Sequence, residues 1–255
     1  MSHTKVFAHR GASGYAPENT LEAFALAIEQ GADGIELDVQ LSSDGIPVVI
    51  HDETVDRVTE KIGYVKDYTL QELKKMTVLK DRFPGYGDAV IPTLKEVLEA
   101  AKPSGVLVNI ELKTGIYWYP DIEKKVAEIV EETGMKEKII YSSFNHYSVQ
   151  RIKEIVPDAE TAYLYSDVIL NVEDYAKKTN VDALHPAVYH VKMVGFLKAY
   201  IQSGLDVRVW TVNEEADMKE LTEAGVSAVI TNYPDVAVRI RDESKKENGS
   251  PEKKG

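Results

Sequence analysis

The chain has 255 residues, 44% of them hydrophobic and 28% charged, a globular composition that excludes a wholly disordered or collagen-like polymer. Lys and Arg number 30 against 42 Asp and Glu, leaving a net charge of −12 that argues against a nucleic-acid or anionic-membrane surface, and there is no cysteine for a disulfide or a thiolate metal site. No apolar run approaches the roughly 18–20 residues of a membrane span, and the opening MSHTKVFAHRG lacks the apolar stretch of a secretory leader, so the expectation is a cytoplasmic protein without stable membrane anchoring.

From Lys5 to about Ile240, short β-branched strands alternate with amphipathic helices. The strands read as 6–10, 34–39, 106–112, 139–144, 161–165, 182–186, 207–212 and 228–231. The first helix, in NTLEAFALAIEQG, has Asn19 or Thr20 as its N-cap and Gly31 as its stop. Eight strand–helix units imply parallel pairing through right-handed crossovers and fit an α/β protein, a (β/α)8 TIM barrel over residues 1–242. The rival is an open Rossmann-type sheet, but no G-x-G-x-x-G follows the first strand.

One interval breaks the rhythm. After 34–39 comes LSSDGIPVVIHD, where Asp44-Gly45 signals a hairpin. With those two as the turn residues, Ser43 faces Ile46 and His51 returns opposite Asp38; a three-residue turn moves it by one position. Residues 53–90 then read as a small insertion on the C-terminal face, with one short helix and a Gly/Pro-rich loop. The charged segment 243–255 reads as a disordered tail.

Barrel strands are buried on both sides and ought to be apolar throughout. Ile35, Leu37 and Val39 share the outward face of the second strand, which turns Glu36 and Asp38 into the barrel. The third strand repeats the pattern, with Val108, Ile110 and Leu112 outward and Asn109, Glu111 and Lys113 inward. These strands are neighbours, so Glu36, Asp38 and Glu111 converge, and three buried carboxylates demand a cation. A hard divalent ion suits them, and all-oxygen ligands favour Ca²⁺ or Mg²⁺ over Zn²⁺. The alternative is a buried ion-pair network with Arg10, Lys113 and Arg208.

His9 ends the first strand and the hairpin returns His51, so two imidazoles aim at the acidic cluster and can move protons near neutrality. Of the other histidines, His3 reads as a frayed terminus, His146 starts a helix, His185 ends a strand with a core or site role, and His190 lies in the following loop. Trp210 reads inward beside Arg208, either as a core aromatic or as a wall for substrate. Tyr117-Trp118-Tyr119 sits at the rim, as a substrate wall, a dimer contact or a loop anchored on the barrel.

A divalent ion, an arginine, a lysine and two histidines suit an anionic substrate undergoing acid/base chemistry. Phosphate is the natural anion: the metal and Lys113 hold non-bridging oxygens and Arg10 forks onto another. One histidine deprotonates the nucleophile while the other protonates the leaving alkoxide, which describes cleavage of a phosphate ester. Three rivals stand beside this reading. One is a barrel glycosidase pairing Glu36 or Asp38 with Glu111, one a lipase-D-like barrel acting on lipid headgroups, and one a non-catalytic binding barrel.

The ordered set His9-Arg10, Glu36-Leu37-Asp38 and His51-Asp52 resembles the glycerophosphodiester phosphodiesterases. Pro17-Glu18-Asn19-Thr20, the Glu111-x-Lys113 pair and Trp210-Thr211-Val212-Asn213 extend that resemblance over nearly the whole chain. It implies a TIM barrel with a small insertion after the second strand and one Ca²⁺ or Mg²⁺ on Glu36, Asp38 and Glu111. It also implies His9 and His51 as the catalytic pair, with Arg10, Lys113 and Trp210 on the substrate. The substrate would be a small glycerophosphodiester, cleaved to sn-glycerol 3-phosphate and an alcohol such as choline or ethanolamine. No nucleic-acid partner is implied, and an oligomer is compatible. Attack by the glycerol 2-hydroxyl through a cyclic phosphate gains effective concentration; direct attack by water is the competing route. Relatives often carry Asp where this chain has Asn232, and as the position lies outside the matched site it is expected to matter little.

Overall fold

The computed structural model describes residues 4–78 and 83–249. Strand and helix alternate from β1 (Lys5–His9) through α1 (Leu21–Glu29) to β2 (Gly34–Leu41) and β3 (Pro47–Val49), then α2 (Leu70–Leu73) and α3 (Leu94–Ala101). The order continues with β4 (Leu107–Leu112), α4 (Ile122–Thr133), β5 (Ile139–Ser143), α5 (His146–Ile155), β6 (Glu160–Tyr165) and α6 (Val172–Lys178). It closes with β7 (Ala183–Pro186), α7 (Val188–Val191), α8 (Phe196–Gln202), β8 (Asp206–Val209), α9 (Glu215–Ala224), β9 (Ala228–Thr231) and α10 (Pro234–Gly249).

β2 pairs with β4, the parallel ladder runs on in order to β9, β9 pairs with β1, and β1 pairs with β2. Eight parallel strands thus close on themselves, the TIM barrel expected from the repeat and not the open sheet. The alternation within strands decides which side chains go where. Ile35, Leu37 and Val39 on β2 and Val108, Ile110 and Leu112 on β4 pack outward in one cluster with Phe24, Leu94, Leu98, Ile122 and Val126 from the helices. The barrel interior has its own small plug of Phe7, Ile140, Ala162, Ala183, Ala228 and Ile230. Gly34 makes room for it, because a Cβ there would collide with the Phe7 ring.

The hairpin takes the three-residue turn. Leu41 faces Pro47, Gly45 N–H donates to Ser42 O (2.9 Å), and Gly45 sits at φ 75°, the left-handed residue that follows a type I turn in such loops. Ile50 N–H then donates to Asp38 O (3.0 Å), so His51 lies one position beyond where a two-residue turn would leave it. The insertion builds its own small core, in which Val55, Val65, Leu73 and Met76 pack on Val48 and Ile50 of the hairpin.

The C-terminal boundary needs correcting. Helix α10 continues through residues 243–249, which the composition assigned to the tail. Ala237 and Ile240 are buried, Arg241 reaches Asp33 (2.6 Å), and opposite charges recur at helical spacing, as in Asp242 with Lys245 (3.1 Å), so the polar segment extends a docked helix. His3 and residues 250–255 lie outside the described residues. No helix among the described residues is long and apolar enough to cross a membrane.

Candidate active site

The site forms at the C-terminal ends of β1, β2 and β4, where barrel enzymes place their chemistry. Its first component comes from a sharp bend after β1. Gly11 adopts φ 80° hard against the backbone of Ala23, where a Cβ cannot fit. Arg10 itself is left-handed (φ 57°), as is Asn19 (φ 58°), a conformation that costs about 1–3 kcal/mol for a non-glycine residue and less for Asn. The bend lets the Arg10 N–H donate to Glu36 Oε2 (3.0 Å) and its side chain bring Nε to 3.3 Å from Asp38 Oδ2 and Nη1 to 3.0 Å from Glu18 Oε1. Asn19 donates through Nδ2 to Asp38 Oδ2 (2.8 Å), and Thr20 is the N-cap of α1, accepting from Ala23 N–H.

Strand register supplies the second component. His9 pairs with Glu36 across β1 and β2, and Asp38 with Glu111 across β2 and β4. Glu36, Asp38 and Glu111 are buried, and each offers an oxygen within 4.8 Å of the others. At that separation two carboxylates repel by about 3.5 kcal/mol at an effective dielectric of about 20. The consequence is uneven. Burial, Asp38 and Glu111 push Glu36 well above the usual carboxylate range, and burial also raises Glu111 despite Lys113. Asp38 resists its burial because Arg10, His51, Lys113 and the Asn19 amide hold it down to about 2. Lys113 Nζ lies 3.0 Å from Glu111 Oε1 and 3.8 Å from Asp38 Oδ1. Asp38 Oδ1 is buried without a hydrogen-bond partner. A hard cation fits this donor set: three buried carboxylates converge, Asp38 keeps an unsatisfied oxygen, and burial with its two acidic neighbours pushes Glu36 up.

The two imidazoles face the same cavity, and each is fixed through Nδ1. His9 Nδ1 lies 2.7 Å from Asn232 Oδ1 in the loop after β9, and His51 Nδ1 lies 2.6 Å from Asp52 Oδ1. Both acceptors require a proton on Nδ1, leaving Nε2 for chemistry. The environments differ. Burial and the neighbouring Arg10 hold His9 down to about 4, whereas His51 is paired with a carboxylate that its own cation partners keep ionised.

The cavity, about 350 Å³, is lined by His9, Arg10, Glu36, His51, Glu111 and Trp210. Asp38 and Lys113 are not among the lining residues; they join the set through their contacts with the other site residues, Lys113 through Glu111 and Asp38 through Arg10. Trp210 donates through Nε1 to His185 O (2.7 Å) and meets Phe144 edge-on at 5.5 Å, which fixes it as a wall of the cavity. His185 is fully buried at the cavity floor, where burial and Arg208 hold it well below its usual value. Arg208 does not join the triad. Its side chain runs toward the strand starts and pairs with Glu160 and with Asp206 (2.6 Å). His146 stacks on Tyr163 (3.9 Å) and His190 on Tyr165 (5.8 Å) within the helical layer, away from the cavity lining. The aromatic loop is an anchor: buried Tyr119 donates to Gln40 Oε1 (2.8 Å) and Tyr117 packs edge-on with Tyr64 (5.7 Å), while Trp118 remains exposed.

Asn232, expected to lie outside the site, meets His9 there. A sequence comparison limited to matched motif positions passes over it, because its contact with His9 spans the barrel closure between β9 and β1. Glu18, Asp52 and Arg57 were likewise without a role in sequence terms; only their threefold convergence, described below, gives them one.

Fold and site together define a barrel hydrolase built for a phosphate ester. Residues 9–236 match the glycerophosphoryl diester phosphodiesterase family. Among similar proteins, a glycerophosphodiester phosphodiesterase of Caldanaerobacter subterraneus is 42% identical over 93% of this chain and 97% of its own, and one of Bacillus altitudinis is 43% identical over 95% and 100%. The solved structure of an Oleispira antarctica phosphodiesterase in complex with the product sn-glycerol-3-phosphate superposes with a TM-score of 0.88 at 30% identity, covering 94% of this chain and 97% of that one. The chain belongs to the glycerophosphoryl diester phosphodiesterase family, and it is an enzyme of that class.

Proposed function

We propose that the protein hydrolyses glycerophosphodiesters to sn-glycerol 3-phosphate and an alcohol, with one divalent cation, Ca²⁺ or Mg²⁺, held by Glu36, Asp38 and Glu111. The observation that carries this reading is the convergence of a buried carboxylate triad and two imidazoles on one cavity. The product named in the Oleispira antarctica complex supports the substrate class. When bound, the cation supplies Lewis-acid stabilisation of a phosphoryl oxygen.

The chain's own residues do the rest. Arg10 directs Nη1 to Glu18 and is left with further N–H donors for a phosphate oxygen. Lys113, held charged by Glu111 and Asp38, offers a second positive group. Trp210 and Phe144 wall the organic part of the substrate. His9, with a neutral amide on Nδ1 and Arg10 beside it, favours the uncharged ring and acts as the base, taking the proton of the attacking hydroxyl at Nε2. His51, whose Nδ1 is held by the Asp52 carboxylate (2.6 Å), acts as the acid, giving its Nε2 proton to the leaving alkoxide. The attacking hydroxyl is that of the glycerol C2 in the cyclic route and of water in the direct route.

Turnover of glycerophosphocholine, glycerophosphoethanolamine and bis(p-nitrophenyl) phosphate with Ca²⁺, with Mg²⁺ and with chelator tests the proposal. Release of glycerol 3-phosphate that requires the cation supports it; undiminished activity in excess chelator overturns the metal role. A transient glycerol cyclic phosphate in ³¹P spectra identifies the intramolecular route.

A further inference from the structure

His51 and Arg10 arrive on different segments, yet they belong to one hydrogen-bonded chain whose middle member comes from the insertion. Arg57 donates through Nε to Asp52 Oδ2 (2.6 Å) and through Nη2 to Asp52 Oδ1 (3.1 Å). The same guanidinium donates through Nη1 to Glu18 Oε2 (2.6 Å) and through Nη2 to Glu18 Oε1 (2.7 Å). Asp52 Oδ1 then accepts from His51, and Glu18 Oε1 accepts from Arg10 (3.0 Å). Two edges of one planar group are therefore used as forks, a geometry that a lysine cannot reproduce.

The arrangement has a physical purpose. Buried Gln40 pins the backbone here by donating to His51 O (3.0 Å) and Asp52 O (2.6 Å), but the side chains of both residues are more than a quarter exposed, so Gln40 alone leaves them free to rotate. Binding both Asp52 oxygens removes that freedom and fixes the His51 ring plane through the remaining lone pair. Binding both Glu18 oxygens fixes Arg10 in the same way. The insertion anchors the device locally: Asp56 Oδ1 accepts from Gly63 N–H (2.9 Å), buried Thr59 donates to Val55 O (3.0 Å), and Val55 is fully buried in the small core on the hairpin.

We propose that Arg57 is a positioning residue of the reaction, and that the insertion after β2 supplies it to hold the proton donor and the phosphate-binding arginine in mutual register. This rests on the reading of His51 and Arg10 given above. Groups set by one intermediary must lose function together: the His51 ring governs kcat and Arg10 governs substrate binding. Misplacement on the scale of an ångström costs a rate factor of about 10–100.

The test measures kcat and KM for glycerophosphocholine, with the divalent cation saturating, in wild type, Arg57→Lys, Arg57→Gln, His51→Ala and the Arg57→Gln/His51→Ala double variant, each checked for folding by its thermal melt. Arg57→Lys keeps the charge and is the variant to read if Arg57→Gln melts early. We expect each Arg57 variant to lower kcat about 10–100-fold and to raise KM. In the His51→Ala background the kcat loss should shrink to less than about threefold while the rise in KM persists, a pattern that general destabilisation does not produce. Wild-type kcat and KM in Arg57→Lys, or an Arg57→Gln loss in kcat that is undiminished without His51, overturns the proposal. Wild-type kcat in His51→Ala instead overturns the assignment of His51, so the two failures are distinct.

Discussion

Replacing Asn232 by Asp changes the partner of His9 from a neutral amide to a carboxylate at the same 2.7 Å contact, with no change in size. His9 now sits near 4 because burial and Arg10 outweigh the amide hydrogen bond. An opposite charge in direct contact favours the charged form by about 1–3 pH units, which brings His9 to about 5–7 in the variant. The sign follows from the role proposed for His9. A base works only when neutral, so raising its pKa removes activity from the acid side of the profile and leaves the neutral plateau in place. With a shift of about two units, the neutral fraction of His9 at pH 5 falls from about ten-elevenths to about one-eleventh, roughly a tenfold drop in kcat/KM. The assay is a kcat/KM–pH profile on glycerophosphocholine from pH 4 to 9, at fixed saturating cation, for wild type, Asn232→Asp and Asn232→Ala. The alanine variant should lose rate about tenfold at every pH, since it releases the tautomer without adding charge. An acid limb in Asn232→Asp that coincides with wild type refutes the claim that this contact sets the base.

Three further outcomes follow from the same geometry. His9→Ala and His51→Ala should each lower kcat by about 10²–10⁴-fold in steady-state turnover, with the cation still bound. Glu111→Gln should weaken the cation measurably in calorimetric titration, and activity lost to chelator should return on adding Ca²⁺ or Mg²⁺ to wild type but only at higher concentration in the variant. Gly34→Ala should destabilise the barrel by about 1–3 kcal/mol in denaturant titration, because its methyl group meets the Phe7 ring within the inner plug.

The sequence disclosed the barrel because its strands carry two independent signals. One is the spacing of strand and helix; the other is the period-two alternation that put Glu36 and Asp38 opposite Ile35, Leu37 and Val39. The triad was legible for the same reason, since neighbouring parallel strands align Asp38 with Glu111 in register. The hairpin was legible only to within one residue, because Asp44-Gly45 serves a two-residue turn and a three-residue one equally well. What stayed hidden depends on contacts between segments far apart in the chain. Asn232 meets His9 across 223 positions, and Arg57 reaches Glu18 across 39. No local periodicity encodes either contact. The helical continuation past residue 242 was masked by composition, which registers many charges but not their spacing on a docked helix.

An acidic chain has to make its anion site by local arrangement, and the ionic order of this one explains how. With all three carboxylates ionised the triad outweighs Arg10 and Lys113 by a single negative charge, an imbalance that disfavours a phosphodiester and, with burial, pushes the Glu36 carboxyl well above its usual range. The divalent cation proposed for Glu36, Asp38 and Glu111 would reverse that sign, leaving one net positive charge against the single negative charge of the diester. Glu18 and Asp52, which would otherwise spoil this balance from the rim, are each clamped by Arg57. Arg57 therefore screens the cavity while it orients the residues beside it, and its removal should weaken anion binding more steeply at low ionic strength, where exposed carboxylates act at longer range.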